Sequence, residues 1–215
     1  MLEANDLVVV RNGDRTVLDG VSLRLAAGEL VAVEGPSGGG KSTLLWTLAR
    51  LHPLASGALV LDGEPAAEIP VRDWRRRVML LLQKPALPAP TIRENLVLPF
   101  ALAGRDDFPD DAGLRRELDA LDLGDVELDR SADDLSVGQA GRVAFLRAVL
   151  ASPDHLLLDE PAAALDEESA ARLHARLGAY VDGGGSALLV RHHDGGRTPS
   201  RTLRLADGTL AEVTP

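Results

Sequence analysis

Short apolar and alternating runs dominate the first part of the chain. Leu7 to Val10, Thr16 to Leu18, Val21 to Leu25 and Leu30 to Val33 each read as a strand, with Asn12-Gly13-Asp14 and Ala27-Gly28 as turns between them. Ser42 to Leu51 places apolar side chains at 44, 45, 48 and 51, the spacing of a helix. Ala58 to Leu61 ahead of Asp62-Gly63 predicts a further hairpin. Val78 to Leu82 is continuously apolar, which predicts a strand buried on both faces. Beyond Lys84 the period changes. Pro85, Pro88 and Pro90 predict a loop, and helical patterns follow through Ile92 to Leu102, Leu114 to Leu121 and Gly138 to Leu150, closed by Ser152-Pro153. His155 to Leu158 and Ser186 to Val190 are again short buried strands. The helix between them, Glu167 to Val181, puts residues 170, 173, 177 and 181 on one face, and Asp207-Gly208 turns a last hairpin.

Strands alternating with helices predict an α/β fold. Its parallel sheet is covered on both faces, with an antiparallel portion in front and a helical insertion between 84 and 151. The expected organisation is a single domain over 1–215, with a core from 1–83 and 152–215 and a helical subdomain at 84–151. A chain of 215 residues suffices for one sizeable core.

Composition removes several classes of function. The absence of cysteine excludes disulfides, thiolate chemistry and Cys-based metal sites. No apolar run approaches the roughly 18 residues needed to span a bilayer, so any membrane role is borrowed from a partner. Met1 to Val10 has acidic residues and no basic run, so no secretory signal is expected. The net charge of −10 argues against broad nucleic-acid binding, which needs a basic footprint. Arg75-Arg76-Arg77 after Trp74 reads as a solvated helix end, with no aromatic ladder to suggest otherwise.

The candidate chemistry begins at Gly35-Pro36-Ser37-Gly38-Gly39-Gly40-Lys41-Ser42-Thr43, which fits G-x-x-x-x-G-K-[ST] between a buried strand and a helix. Glycines let the backbone close round phosphates so that successive N–H groups converge on them at a helix N-terminus. Lys41 reaches the β- and γ-phosphates, and the Ser42 hydroxyl ligates Mg²⁺. Lys41 is also one of only two lysines, with Lys84, in a chain whose other bases are arginine. A Gly-rich turn that merely starts a helix matches less well, given this context, and the chain is expected to bind a nucleoside triphosphate. Leu156-Leu157-Leu158-Asp159-Glu160 is an apolar strand ending in two carboxylates, which a parallel sheet delivers to its ligand-binding edge. Asp159 there suits Mg²⁺, and Glu160 suits a water to be activated. Alone, the pair also fits an ordinary strand-to-helix cap. Leu135-Ser136-Val137-Gly138-Gln139 precedes the next long helix.

With these three motifs the chain resembles the ATP-binding cassette (ABC) ATPases, of P-loop NTPase fold, over essentially its whole length. The resemblance extends to a loop glutamine at Gln83, an S-A-L-D-like turn at Ala163-Ala164-Leu165-Asp166 and a switch histidine at His193, in the family's order. It implies a homodimer formed head to tail on ATP binding, with each ATP between the phosphate loop of one copy and Ser136, Gly138 and Gln139 of the other. It further implies that Glu160 is the general base and His193 the γ-phosphate sensor. Ser42, Gln83 and Asp159 would hold Mg²⁺, and Asp166 would link the two sites.

Three positions depart from the family's pattern. Val137 replaces the central signature glycine, and Ala163 a serine. No aromatic residue precedes Trp46 to stack on adenine; Arg11 can stack through its guanidinium plane or stand exposed. The length, without a fused membrane segment, resembles a separate subunit on the cytoplasmic face of a membrane, paired with a multi-span permease. The expected docking surface covers residues 84–96, with Ile92 on its apolar part. The pattern resembles cassettes paired with iron-export permeases. Lipoprotein-release, macrolide-type and import cassettes share much of it, and the competing class is a soluble ABC ATPase acting on nucleic acid or ribosomes.

Overall fold

The computed structural model describes residues 1–11, 13, 15–191 and 197–213. Two sheets form the frame. The first is antiparallel, with β1 (Leu2–Arg11), β2 (Arg15–Leu25), β4 (Ser56–Leu61) and β5 (Glu64–Pro65) in the order β2-β1-β4-β5. The second takes β3 (Leu30–Glu34), β6 (Val78–Leu81), β7 (His155–Asp159), β8 (Ser186–Val190), β9 (Arg201–Ala206) and β10 (Thr209–Val213) in the order β10-β9-β3-β8-β7-β6. All its pairings are parallel except the β9–β10 hairpin. The C-terminal ends of β3, β6, β7 and β8 therefore share one edge.

Strand alternation divides the interior in two. Leu156, Leu158, Ala187 and Leu189 face one core, built with α3 (Ile92–Ala103), α4 (Asp111–Ala120), α5 (Val137–Leu150) and α6 (Glu167–Asp182). Leu157, Leu188, Val190, Val31 and Val33 face the other, shared with α1 (Lys41–Leu48), α2 (Val71–Arg77) and the antiparallel sheet. Period-2 burial on both faces is what a covered parallel sheet requires.

The differences from the expected elements have local causes. β1 and β2 are longer than the apolar runs because bulges reset the alternation. Asp6 and Gly20 adopt positive φ (49° and 66°), and the register slips beside them, which hides the period in the sequence. The Val78 to Leu82 run is buried less than expected. β6 is an edge strand, with Met79 and Leu80 half-buried and Leu82 exposed. Ile92 is not on a surface at all; it lies fully buried in the helical core. The helix-end reading of the three arginines holds: α2 ends on them, anchored by a fully buried Trp74 whose Nε1 donates to the Leu48 carbonyl at 2.8 Å.

His155, 2% exposed at the start of β7, sits with Nδ1 2.5 Å from Ser186 Oγ while its Nε2 has no partner. Burial first, then the positive amino terminus, pushes its pKa from 6.5 down to about 4. Between those values the unfolded chain binds a proton that the folded chain refuses, so stability is complete above pH 6.5 and falls on acidification toward pH 4. At about 1.4 kcal/mol per unit the loss approaches about 3 kcal/mol. Urea unfolding at pH 7, 5.5 and 4.5 should show this decline, and His155→Asn should flatten it by a comparable amount.

Candidate active site

The phosphate loop runs from the end of β3 to the start of α1. Its shape is forced from both sides. Gly35 takes φ 150° and Gly40 takes φ 98°. A Cβ at Gly35 would stand 2.1 Å from the Leu205 carbonyl oxygen of β9, and one at Gly40 would stand 3.1 Å from the Val17 carbonyl oxygen of β2. Between them the Gly39 amide donates to the Pro36 carbonyl at 3.1 Å, tightening the turn. Gly40 is the N-cap of α1, which has no side-chain cap there, so its first amides are left for a ligand.

Lys41 is only 6% exposed, and its Nζ donates to the Gly35 carbonyl at 2.8 Å and the Pro36 carbonyl at 3.0 Å. These neutral acceptors hold the ammonium without neutralising it. Ser42 is exposed on the first turn, and Thr43 is buried, its carbonyl accepting from Thr47 Oγ1 at 2.8 Å. Above the loop lies an open cleft of about 730 Å³, lined by Ser37, Gly38, Gly40, Lys41, Ser42 and Thr43 on one side and by Gln83 and Glu160 on the other.

Asp159 closes β7, nearly buried, and Glu160 follows it at φ 49°, its amide donating to the Val190 carbonyl at 3.2 Å. Gln83, just past β6, donates from Nε2 to Glu160 Oε2 at 3.2 Å. Its loop is pinned rather than free. Fully buried Asn95 donates to the Ala89 and Thr91 carbonyls at 2.7 Å, and Arg147 donates to the Ala86 carbonyl at 2.9 Å.

The remaining sequence candidates lie elsewhere. Ser136 and Gln139 close a capping box on α5, Ser136 Oγ accepting from the Gln139 amide at 3.2 Å and Gln139 Oε1 from the Ser136 amide at 3.1 Å. A Cβ at Gly138 would touch Leu165 and the Ala164 carbonyl, so this segment packs beside the turn that ends at Asp166. Asp166 caps α6; bonds from the Ser169 amide, then the Ser169 hydroxyl, hold its carboxyl below the usual range. None of these residues lines the Lys41 cleft. His193 lies outside the described residues.

Sequence reasoning missed three contributors. Arg15 and Val17 line the cleft beside Arg11, and only the pairing of Arg11 with Arg15 across the first hairpin brings them there. Arg142, nearly buried, donates to the Leu121 and Asp122 carbonyls at 2.8 and 3.0 Å and to Ser169 Oγ at 3.1 Å, tying α5 to the cap of α6. A charged residue at a core-facing position of an apolar helix was the signal.

A glycine loop after a parallel strand, a buried lysine in its turn and carboxylates from the strand two places along the same sheet define a nucleotide-binding P-loop protein. Residues 18–163 match the family model described as ABC transporter, and the chain belongs to that family. It is 33% identical over 199 residues to the "Probable iron export ATP-binding protein FetA" of Escherichia coli (strain K12), covering 90% of this chain and 88% of FetA. It is 34% identical over 209 residues to the "ATP-dependent lipid A-core flippase" of Ralstonia nicotianae, covering 93% of this chain but 35% of the flippase, so it spans about a third of that protein's length. An ATP-binding cassette solved as a dimer in a post-hydrolysis state with ADP and Pi superposes with a TM-score of 0.84 at 25% identity over 100% of both chains. The parallel core, the antiparallel front sheet and the inserted helices are those of the ATP-binding cassette, as the sequence pattern implied.

Gly35→Ala tests the forced loop. The added methyl group has no room beside the Leu205 carbonyl, so the loop or β9 must move. Destabilisation of about 2–4 kcal/mol in urea unfolding is expected, together with loss of nucleotide binding. A variant as stable as wild type would refute the constraint.

Proposed function

We propose that this chain is the ATP-hydrolysing subunit of a membrane transporter, working as a head-to-tail homodimer. The observation that supports this best is the meeting of Gln83 and Glu160, hydrogen-bonded at 3.2 Å, in the cleft that holds Lys41 and Ser42. ATP enters with its triphosphate against the loop amides. Lys41, held ready by two carbonyls, turns its charge onto the β- and γ-oxygens. Glu160 takes the proton of the water that attacks the γ-phosphorus, and Gln83 orients that carboxylate and water.

Among the described residues no cluster of three His, Cys, Asp or Glu side chains forms a metal cage. That suits Mg²⁺, which keeps most of its waters and arrives on phosphate oxygens. The Ser42 hydroxyl, the Gln83 amide oxygen and the Asp159 carboxylate are the hard oxygens that would hold it, and the ion supplies charge to offset that of the phosphates.

The second copy completes the site. The amides that open α5, with Ser136, Gly138 and Gln139, face the γ-phosphate of the partner's ATP, and Val137, 77% exposed, gives an apolar contact across the interface. Asp166 stands beside this segment, where it links the two sites, and His193 senses the γ-phosphate.

The subunit is peripheral on the cytoplasmic face of a membrane and docks on a permease. No helix among the described residues is long and apolar enough to cross a membrane. An apolar groove of about 770 Å³ borders the loop after Gln83, formed by Leu82, Pro85, Pro88, Leu98 and Leu102 and rimmed by Arg72, Arg75 and Arg76. A coupling helix with an apolar face and acidic flanks fits it. Iron export is the cargo assignment, supported by the likeness to FetA along nearly that protein's length.

Glu160→Gln keeps the hydrogen bond with Gln83 and removes the base, so turnover should fall roughly 10²- to 10⁴-fold while ATP still binds. Light scattering of this variant with MgATP should show a lasting dimer; a monomer at every concentration counts against the role. On the groove, Leu102 is 63% exposed and touches no catalytic group. Leu102→Asp should leave ATPase of the isolated subunit near wild type, abolish its stimulation by the permease and raise cellular iron as gene deletion does. Full stimulation by the permease would reject the docking surface, and unchanged iron in the deletion strain would reject the cargo.

A further inference from the structure

Four arginines line the groove beside the loop after Gln83, and none of them has a carboxylate partner among the described residues. Arg72, Arg75 and Arg76 come from α2 and Arg147 from α5. Arg72 donates to the Leu102 carbonyl and Arg75 to the Ala49 and Arg50 carbonyls. Arg147 donates to the Ala86 carbonyl at 2.9 Å and to Asn95 Oδ1 at 3.4 Å. Elsewhere in the same chain Arg77, Arg93, Arg115 and Arg176 each reach a carboxylate. With a net charge of −10 the chain has carboxylates in excess, so a cluster left without any marks a place for one from outside.

Arg147 differs from the three on the rim. They are exposed, whereas Arg147 is half-buried, and burial pushes its guanidinium pKa below the usual arginine value. A charge taken out of water costs free energy unless it is paired, and two neutral oxygens are weaker partners than a carboxylate. Both oxygens also belong to the anchoring of the loop. Ala86 lies three residues after Gln83, and Asn95 donates to the Ala89 and Thr91 carbonyls. One side chain thus lines the groove and grips the loop at the same time.

We propose that a carboxylate of the permease segment seated in the groove pairs with Arg147, draws it off the Ala86 carbonyl and so frees the loop to carry Gln83 toward the bound nucleotide. The proposal rests on the reading of the groove as the permease surface. The guanidinium fork matches two carboxylate oxygens, so a bidentate pair replaces one bond to a carbonyl and one to an amide oxygen. The rim arginines attract an acidic segment from a distance, but they are solvated and add little once it is seated. Arg147 is a positioning residue. It lies outside the Lys41 cleft and acts through the loop on Gln83, whose amide meets Glu160 at 3.2 Å.

The probes are two synthetic amphipathic helical peptides with leucines along one face, one with a central glutamate and one with glutamine in its place. Binding of each, and ATPase in its presence, are measured on wild type, Arg147→Gln, Arg147→Lys, the double variant Arg72→Gln with Arg76→Gln, and Leu102→Asp. Wild type should bind the glutamate peptide about tenfold tighter than the glutamine peptide, and only the former should raise ATPase. Because the two peptides are compared on one folded protein, this result does not depend on whether a variant folds. Arg147→Gln should bind both alike without stimulation, Arg147→Lys should restore part of the preference, and the rim variant should keep most of it. Equal binding of both peptides to wild type would overturn the role of Arg147 and leave the groove standing, as would a preference that survives in Arg147→Gln. A preference without stimulation would overturn the transmission to Gln83. Leu102→Asp should weaken both peptides; if it weakens neither, or if wild type binds neither, the groove reading fails and the proposal with it. Phosphatidylglycerol vesicles that bind through Arg147 while both peptides fail would assign the groove to a lipid headgroup and overturn the proposal.

Discussion

The approach of β9 to the phosphate loop is the constraint on which the site depends. With the Leu205 carbonyl where it is, only glycine fits at 35, and with the Val17 carbonyl where it is, Gly40 is held almost as closely. The loop is thus wedged between the two sheets, one from each side. That wedge turns the Gly35 and Pro36 carbonyls toward Lys41, and these two acceptors replace part of the water that the buried ammonium has lost. It also sets the direction of α1, whose Leu44, Leu45 and Leu48 then fill the core beneath the antiparallel sheet. The shape of the loop is thus set by backbone contacts on both sides.

Two polar anchors carry that rigidity into the helical block. Asn95 and Arg147 hold the proline loop that follows Gln83, while Arg142 holds the opening of α5 to the cap of α6. Asn95 and Arg142 are buried and Arg147 is half-buried; all three bond to backbone carbonyls, and Arg142 also bonds to the Ser169 hydroxyl. A displacement of α3 or α5 therefore breaks several bonds at once unless Gln83 and Asp166 move with it. These contacts join the helical block to the loop after Gln83 and to the start of α6.

How much of this was legible in the sequence followed from how local each determinant is. The loop was readable because glycines and a lysine at that fixed spacing have few other uses, whereas the paired acids of β7, which also fit a strand-to-helix cap, were readable only beside the loop and the Leu135 to Gln139 motif. The antiparallel part was readable from short, often alternating runs, and the parallel sheet from short continuous apolar runs, both flanked by turn residues. The length of β1 and β2 was not, because bulges at Asp6 and Gly20 scramble the alternation. The edge position of β6 was not, because a continuous apolar run is the same whether one neighbour is missing or both are present. Ile92 was misplaced for a related reason: next to a proline loop its helix start looked exposed, yet it is fully buried in the helical core. Arg142 and the Arg11–Arg15 pair depend on contacts far apart along the chain, which no local period records.

Glu160 shows how the fold balances strain against placement. A non-glycine residue at φ 49° costs on the order of 1–2 kcal/mol. An extended conformation would continue β7 and send the carboxylate away from the cleft. The reversal that costs this energy brings Glu160 Oε2 to the Gln83 amide instead, and the bond from the Glu160 amide to the Val190 carbonyl, worth about 1 kcal/mol, offsets much of the cost. The carboxylate is therefore held by the sheet itself, through β7 on one side and β8 on the other. Glu160 Oε2 and the Gln83 amide thus meet across the cleft through contacts that the chain makes by itself.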